Sequence, residues 1–150
     1  EMMNLLNKSF FTNFIKNFIL NPNNKLLGIC CGMQVLGNYS EEGELKGLEL
    51  INGHNLLLKN KIKPYLGWNT IDVSSKQFKI FDNVSNKDFF YFMHSYHFYS
   101  HDKSMKCFFT KYDNIDFISC INKNNIYGVQ FHPEKSHDSG KKILINFNKL

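Results

Sequence analysis

The sequence predicts an α/β fold, a mixed sheet with flanking helices, and three observations carry that prediction. A helical period runs through the first twenty or so residues. A short apolar run follows and ends in a glycine-flanked turn. From residue 47 the chain breaks into short strands closed by one C-terminal helix.

Met2, Leu6, Phe10, Phe14 and Phe18 recur at steps of four, with Met3, Phe11 and Ile15 alongside, which predicts one helix over 2–20 with a single apolar face. "NPNN" at 21–24 stops it, and "KLLGIC" (25–30) reads as a short buried strand. A further short helix starts at about Cys31. Then "GLELI", "HNLLL", "GWNTIDV", "DFFYFMHSYHF", "MKCFFTKY", "FISCI" and "IYGVQF" read as strands, with "NKNN" (122–125) a hairpin connection between the last two. "SGKKILINFNKL" (139–150) reads as a helix that buries Ile143, Ile145 and Phe147. No internal repeat or low-complexity linker divides the chain, so residues 1–150 read as one domain.

A chain of 150 residues can bury a real core, and 43% hydrophobic with 21% charged residues is ordinary for a soluble globular protein. No apolar run approaches the roughly 20 residues that cross a bilayer, and the first residues lack the features of a signal peptide. No membrane association is expected. The formal charge of +5 rests on 18 basic residues, all of them Lys. They are scattered and not interleaved with aromatics along one face, which argues against a nucleic-acid partner. Cys30, Cys31, Cys107 and Cys120 show no CxxC spacing, and adjacent cysteines are poorly placed to bridge each other. A reducing cytoplasm is the simpler expectation. His94, His97 and His101, with His132 and His137, raise the alternative of a metal module. On a strand, however, His94 faces away from His97 and His101, so no metal site is expected. The 15 Phe and 7 Tyr read as core and interface material, and no cofactor is expected.

The chemistry centres on "LLGICCGMQ" (26–34). A strand ending in Gly-x-Cys-x-Gly and running into a helix is the thiol counterpart of a nucleophile elbow. Gly28 and Gly32 permit the close backbone approach, and Cys30 sits at the strained apex with its sulfur exposed above the sheet edge. The helix start would favour the thiolate, and the Cys31 backbone N–H would face a developing oxyanion. Alone, Cys30 reads equally as a small buried hydrophobe. A thiol nucleophile also needs a base and an orienting group. "GVQFHPEKS" (128–136) supplies both: past Pro133, His132 and Glu134 fall on one side of an extended segment. Glu134 then holds one imidazole nitrogen while the other faces the sulfur. By itself His-Pro-Glu reads as a turn with a solvated carboxylate; beside the elbow it completes a triad.

"GICCGMQ" together with "GVQFHPEKS" resembles the class I (triad) glutamine amidotransferases, in which a Cys-His-Glu triad hydrolyses glutamine. Within that class, "SEEGELKGLELI" (40–51), "KPYLGWN" (63–69), "YFMHSY" (91–96) and "SGKKILINF" (139–147) are similar to the glutaminase subunits of imidazole glycerol phosphate synthases. The match is collinear over essentially the whole chain. It implies a flavodoxin-like mixed sheet, with Cys30 as nucleophile, His132 as general base and acid, and Glu134 as orienter. It implies that Gln34 and Glu42 hold the amino-acid end of L-glutamine, with backbone at Ser95 and Tyr96 helping. It further implies that Trp68, Tyr91 and Lys135 meet a synthase (cyclase) subunit in a heterodimer of histidine biosynthesis. From the residues alone, Trp68 after Gly67 reads as core packing or as an interface anchor. Tyr65 stands where these subunits usually carry His. "HSYHF" and "EKSHDSGKK" are also similar to paralogues that supply ammonia for amidation of surface sugars. A non-catalytic scaffold is the remaining alternative.

Members of the class carry a strand and a glycine-containing oxyanion loop ahead of the first helix found here. The resemblance therefore implies a sheet lacking its N-terminal strand or strands and an oxyanion hole reduced to the Cys31 N–H. Loss of one such donor costs about 10²–10³ in turnover, so weak or absent activity is expected of the 150 residues alone.

Overall fold

The computed structural model describes residues 2–59, 64–74 and 78–150; Lys63 of "KPYLGWN" lies outside them. In chain order the elements are α1 (Met2–Lys8), α2 (Phe11–Phe18), β1 (Leu26–Ile29), α3 (Cys31–Gln34), β2 (Tyr39–Ser40), β3 (Leu45–Lys46), β4 (His54–Leu57), β5 (Tyr65–Asn69), β6 (Phe90–His94), β7 (Tyr96–Tyr99), β8 (Lys106–Tyr112), β9 (Ile115–Lys123), β10 (Ile126–Val129) and α4 (His137–Asn148). Single 3₁₀ turns lie at Lys79–Phe81 and Pro133–Lys135.

The main sheet runs β1-β10-β9-β7-β4-β2-β3, with β8 also paired to β9, while β5 and β6 form a separate two-stranded sheet. It is mixed: β1 is parallel to β10 and β2 to β4, and the other pairs are antiparallel. The parallel register sets Gly28 opposite Gly128 and Ile29 opposite Val129. That one pairing carries the cysteine turn and the His-Pro-Glu segment out of the sheet side by side.

Both faces of the sheet are covered. On one, Phe90, Phe92, Phe117 and Phe131 share a core with Ile143 of α4; on the other, Leu36, Phe98, Ile118 and Ile121 share a core with Met33 of α3. A strand buried on both faces reads as a continuous apolar run, which is why "FISCI" does not alternate. A bulge interrupts its pairing: Phe108 faces Cys120 but Phe109 faces Ile118, leaving Ser119 as the extra residue.

Several expectations are corrected. The helix expected over 2–20 is two helices. Phe10 turns into the left-handed region (φ 61°), and the Ser9 hydroxyl donates to the Leu5 carbonyl at 2.7 Å, closing α1. "GLELI" is not a strand: Glu49 has φ 58°, and the N–H groups of Leu48, Leu50 and Ile51 donate to carbonyls of Val35 and Leu36, capping the end of α3. "GWNTIDV" stays extended in a strand only to Asn69, whose side-chain oxygen accepts from the Thr70 N–H at 2.8 Å. "DFFYFMHSYHF" splits at Ser95 into β6 and β7, which belong to different sheets. In α4, Ile143 is buried and Phe147 packs edge-on to Tyr127, but Ile145 is exposed. Two residues along a helix is more than half a turn, so 145 faces away from the stripe shared by 143 and 147.

Candidate active site

Cys30 occupies the sharp turn between β1 and α3 with φ 50° and ψ −109°, a conformation that side-chain-bearing residues rarely adopt. Its backbone is fixed from both sides: its N–H donates to Val129 at 2.8 Å, and its carbonyl accepts from Met33 at 3.0 Å and Gln34 at 3.2 Å. Gly28 is required here, since a Cβ would stand 2.5 Å from the Gly32 carbonyl oxygen. The predicted elbow is present.

The state of the sulfur differs from the expectation. Cys30 is half-buried, and its thiol is pushed up to about 11, first by burial, then by the Cys31 thiol and the Glu134 carboxylate. The Cys31 N–H and the Gln130 amide act in the opposite sense without overcoming burial. A helix of one turn is too weak a donor array to hold a thiolate here. The thiol is neutral at neutral pH and donates to the Met93 carbonyl at 3.7 Å, while the Gln130 Nε2 lies 3.6 Å from the sulfur.

His132 follows β10, and its N–H donates to the Tyr91 carbonyl at 2.8 Å. Its Nδ1 lies 2.7 Å from Glu134 Oε1. The segment is a 3₁₀ turn rather than the extended stretch expected, and that turn brings the carboxylate back under the ring. His132 Nε2 is buried and has no hydrogen-bond partner among the described residues. It is thus free to take a proton, although the Cys30 thiol is turned toward Met93 instead. Ser136 locks the turn: its hydroxyl donates to the His132 carbonyl at 2.6 Å and accepts from the Tyr91 N–H at 2.9 Å.

Beyond Cys31, a cavity of about 440 Å³ is lined by Cys31, Gln34, Glu42 and Asn55 together with residues of α1. Its lining includes none of Cys30, His132 and Glu134. The Gln34 Nε2 donates to the Tyr96 carbonyl at 2.8 Å and to Gln130 Oε1 at 3.1 Å, so what Gln34 has left for a ligand is its acceptor oxygen. Glu42 adds a carboxylate. Asn55 donates to the Gln34 carbonyl at 2.7 Å, and its Oδ1 is buried without a partner among the described residues. A cavity presenting acceptors suits a cationic, ammonium-bearing group. The carbonyls of Ser95 and Tyr96 are already used, by the Leu58 N–H and by Gln34.

Trp68, Tyr91 and Lys135 come together on the surface. Trp68 pairs with Tyr91 across β5 and β6, edge-to-face at 5.6 Å, and the Lys135 ammonium lies 6.0 Å from the Tyr91 ring centre. Trp68 is 44% exposed and stacks on the His137 ring, so it is not a core residue. With Leu66 and Met93 it forms the outer apolar face of the two-stranded sheet; the inner face buries Tyr65, Phe90, Phe92 and His94. The other histidines are engaged locally: His94 Nδ1 lies 2.9 Å from the Tyr96 carbonyl, and His101 Nε2 lies 2.6 Å from the Tyr99 hydroxyl.

Gln130 and Ser136 stand at the centre of this arrangement, yet neither is singled out by the sequence. Gln130 lies inside an apolar run with no periodicity to mark it. Ser136 has the residue type and place of a helix cap, and its hydroxyl is used for the turn instead.

A family model described as glutamine amidotransferase class-I matches residues 11–150. The chain is 50% identical to imidazole glycerol phosphate synthase subunit HisH 2 of Methanococcus maripaludis over 83% of its own length and 62% of that protein. It is 42% identical to subunit HisH of Pyrococcus furiosus, over 91% of the chain and 72% of that protein. Thus the chain spans less than two thirds of the first of these relatives. A solved glutamine amidotransferase superposes with a TM-score of 0.71 at 11% identity, covering 97% of this chain and 72% of its own. Another, from Thermotoga maritima, gives 0.61 at 15% identity over 94% and 54% of the two chains. At such identities the likeness shows the fold.

Proposed function

The chain belongs to the class-I glutamine amidotransferase family, and from that premise we propose that it is the glutaminase subunit of an imidazole glycerol phosphate synthase. It releases ammonia from L-glutamine for a cyclase subunit in histidine biosynthesis. The observation that carries this reading is the His132–Glu134 hydrogen bond of 2.7 Å, just past the end of β10, which lies in parallel register with the strand leading into the Cys30 elbow.

The chemistry follows from the resting state. With the Cys30 thiol neutral, attack on the carboxamide carbon and transfer of the S–H proton to His132 Nε2 go together. The C–S bond forms, the carbonyl electron pair moves to oxygen, and the Cys31 N–H takes part of that charge. Glu134, bound at Nδ1, orients the ring and stabilises the imidazolium. His132 then gives the proton to the leaving nitrogen, the C–N bond breaks, and ammonia departs from a thioester. Water, deprotonated by His132, attacks the thioester carbon; the C–S bond breaks, the thiol regains its proton, and glutamate leaves. No cofactor is needed. Gln34 and Glu42 hold the α-ammonium of glutamine, which their acceptor oxygens suit.

Ammonia released to water is protonated and lost as a nucleophile, so the product has to pass to an attached acceptor enzyme. The outer face of β5 and β6, bearing Leu66, Trp68, Tyr91 and Met93 with Lys135 at its rim, is the surface we assign to that partner. Among the described residues no helix is long and apolar enough to cross a membrane. The four cysteines are free, which fits a reducing compartment, and we place the protein in the cytoplasm.

Glutamate release from L-glutamine, assayed with the purified chain and a cyclase subunit, tests the reading. A glutamine-mimicking diazoketone should label Cys30, and His132→Ala should slow that labelling. Equal labelling of all four cysteines, with no glutamate released in either assay, sinks it.

A further inference from the structure

We infer that Gln130 is a fourth member of the catalytic centre, donating a side-chain N–H to the Cys30 sulfur and tying that sulfur to Gln34. The inference rests on reading Cys30 as the nucleophile and adds a group which that reading does not use.

The polarity of the amide chain admits one solution. The Tyr96 carbonyl can only accept, so the Gln34 atom 2.8 Å from it is the nitrogen. That same nitrogen is 3.1 Å from the nearer terminal atom of Gln130, which must then be the oxygen. The other terminal atom of Gln130, 3.6 Å from the sulfur, is left as the NH₂ group. Reversing Gln130 would set two donors against each other in a site where neither reaches water, since Gln130 is 0% exposed. Its backbone gives it no freedom to turn away, because its N–H donates to Ser119 at 2.8 Å in the continued β10–β9 ladder.

A donor on sulfur favours the thiolate over the thiol, and more strongly as charge develops. Around Cys30 the balance is otherwise adverse. Burial, the Cys31 thiol of α3 and the Glu134 carboxylate of the 3₁₀ turn all oppose charge on the sulfur. From β6 comes only the Met93 carbonyl, an acceptor. The groups that favour the anion are the Cys31 backbone N–H and the Gln130 amide. Gln130 is the side chain of the two, and it also fixes Gln34, which lines the neighbouring cavity. A ligand that engages Gln34 is therefore joined to the sulfur through two amides.

Thiol alkylation tests this without glutamine turnover. The rate of Cys30 carbamidomethylation at about pH 9 is followed by tandem mass spectrometry that separates Cys30 from Cys31, with Cys107 as internal reference. In Gln130→Leu and Gln130→Glu the Cys30 rate should fall about tenfold or more relative to Cys107. An unchanged ratio, with the fully buried Cys120 still protected, overturns the proposal. Where a variant exposes Cys120 and so has lost its packing, the unsubstituted protein decides. S-methylthiolation of Cys30 should move a Gln130 side-chain amide resonance, and an unmoved resonance overturns the proposal equally. Failure of the glutaminase reading alone would leave these dependences in place.

Discussion

The carbonyl of Met93 accepts from the Cys30 thiol at 3.7 Å, while the Met93 side chain stands on the exposed face of β6 beside its register partner Leu66. The nucleophile therefore leans on the edge of the strand whose exposed face is the proposed partner surface. The base is tied to the same strand, through the His132 N–H and the Tyr91 carbonyl at 2.8 Å. One strand sets the positions of both reacting side chains, and the residues that hold it should matter for turnover although they touch no substrate.

Ser136 is the first of these. Its hydroxyl bridges the Tyr91 N–H and the His132 carbonyl, and it is 1% exposed, so Ser136→Ala strands the Tyr91 N–H and leaves the His132 carbonyl with the Lys135 N–H at 3.0 Å as its donor. The expected cost is about 1–3 kcal/mol of stability. Because the loss loosens the base rather than the substrate cavity, kcat should fall with KM little changed. Denaturant unfolding and steady-state kinetics check both parts; an unaltered kcat would show that the turn holds without the bridge.

Gly140 holds the same turn from the helix side. A Cβ there would land on the Pro133 carbonyl, backbone against backbone, so Gly140→Ala has to push the 3₁₀ turn away from α4. Alanine gains about 1 kcal/mol in helix propensity, but overpacking of this kind costs about 1–3 kcal/mol. Net destabilisation and a fall in kcat are expected, whereas Lys141→Ala, one residue on at an exposed site, should do neither. Thermal melts of the two variants side by side decide it.

What could be read from the sequence was whatever is enforced locally. Gly28, Cys30 and Gly32 make a turn by themselves, and Pro133 forces the chain to bend beside His132, so the elbow and the His–Glu pair were legible as short motifs. The break at Ser95 was not, because it depends on β6 pairing with β5 while β7 pairs with β4 and β9. Nor could Trp68 be placed: alternation says which residues share a face, not which face is covered. "GLELI" looked like a strand because Leu48 and Ile51 are buried, yet their burial comes from wrapping the end of α3. The thiol's raised pKa was missed for a related reason, since burial is set by residues far along the chain and outweighs a single helical turn.

His94 should make the fold acid-sensitive. It is 5% exposed, and burial holds its pKa down at about 4. The unfolded chain takes up that proton near the ordinary value of about 6.5, while the folded chain resists until about 4. Its contribution is therefore complete above that ordinary value and is lost as pH falls toward about 4, on the order of 3 kcal/mol in all. His97 is lowered by burial too and acts in the same sense. Asp88 and Asp102, held at about 2, lose their contributions only at still lower pH. Unfolding free energies at neutral pH and at about pH 4.5 should differ accordingly. His94→Gln, whose amide can still donate to the Tyr96 carbonyl, should remove much of that difference; an equal pH slope in the variant would rule His94 out as its source.

The paired cysteines should part company according to the reagent. Cys31 is exposed, whereas Cys30 is half-buried with its thiol pushed up to about 11, so a small neutral alkylating agent at neutral pH should modify Cys31 first. An electrophile shaped like glutamine should reverse the order: although the cavity lined by Gln34 and Glu42 also presents Cys31, only Cys30 adjoins a base, and its proton passes to His132 as it reacts. Fragment-resolved mass spectrometry of the 26–34 segment reads both orders from the same protein. Glu134→Gln leaves the Cys31 rate alone but slows the glutamine-like reagent at Cys30, since the imidazolium formed in that step loses its carboxylate partner at 2.7 Å. If both reagents chose Cys31, the apex thiol would be a packed side chain and the elbow only a tight turn.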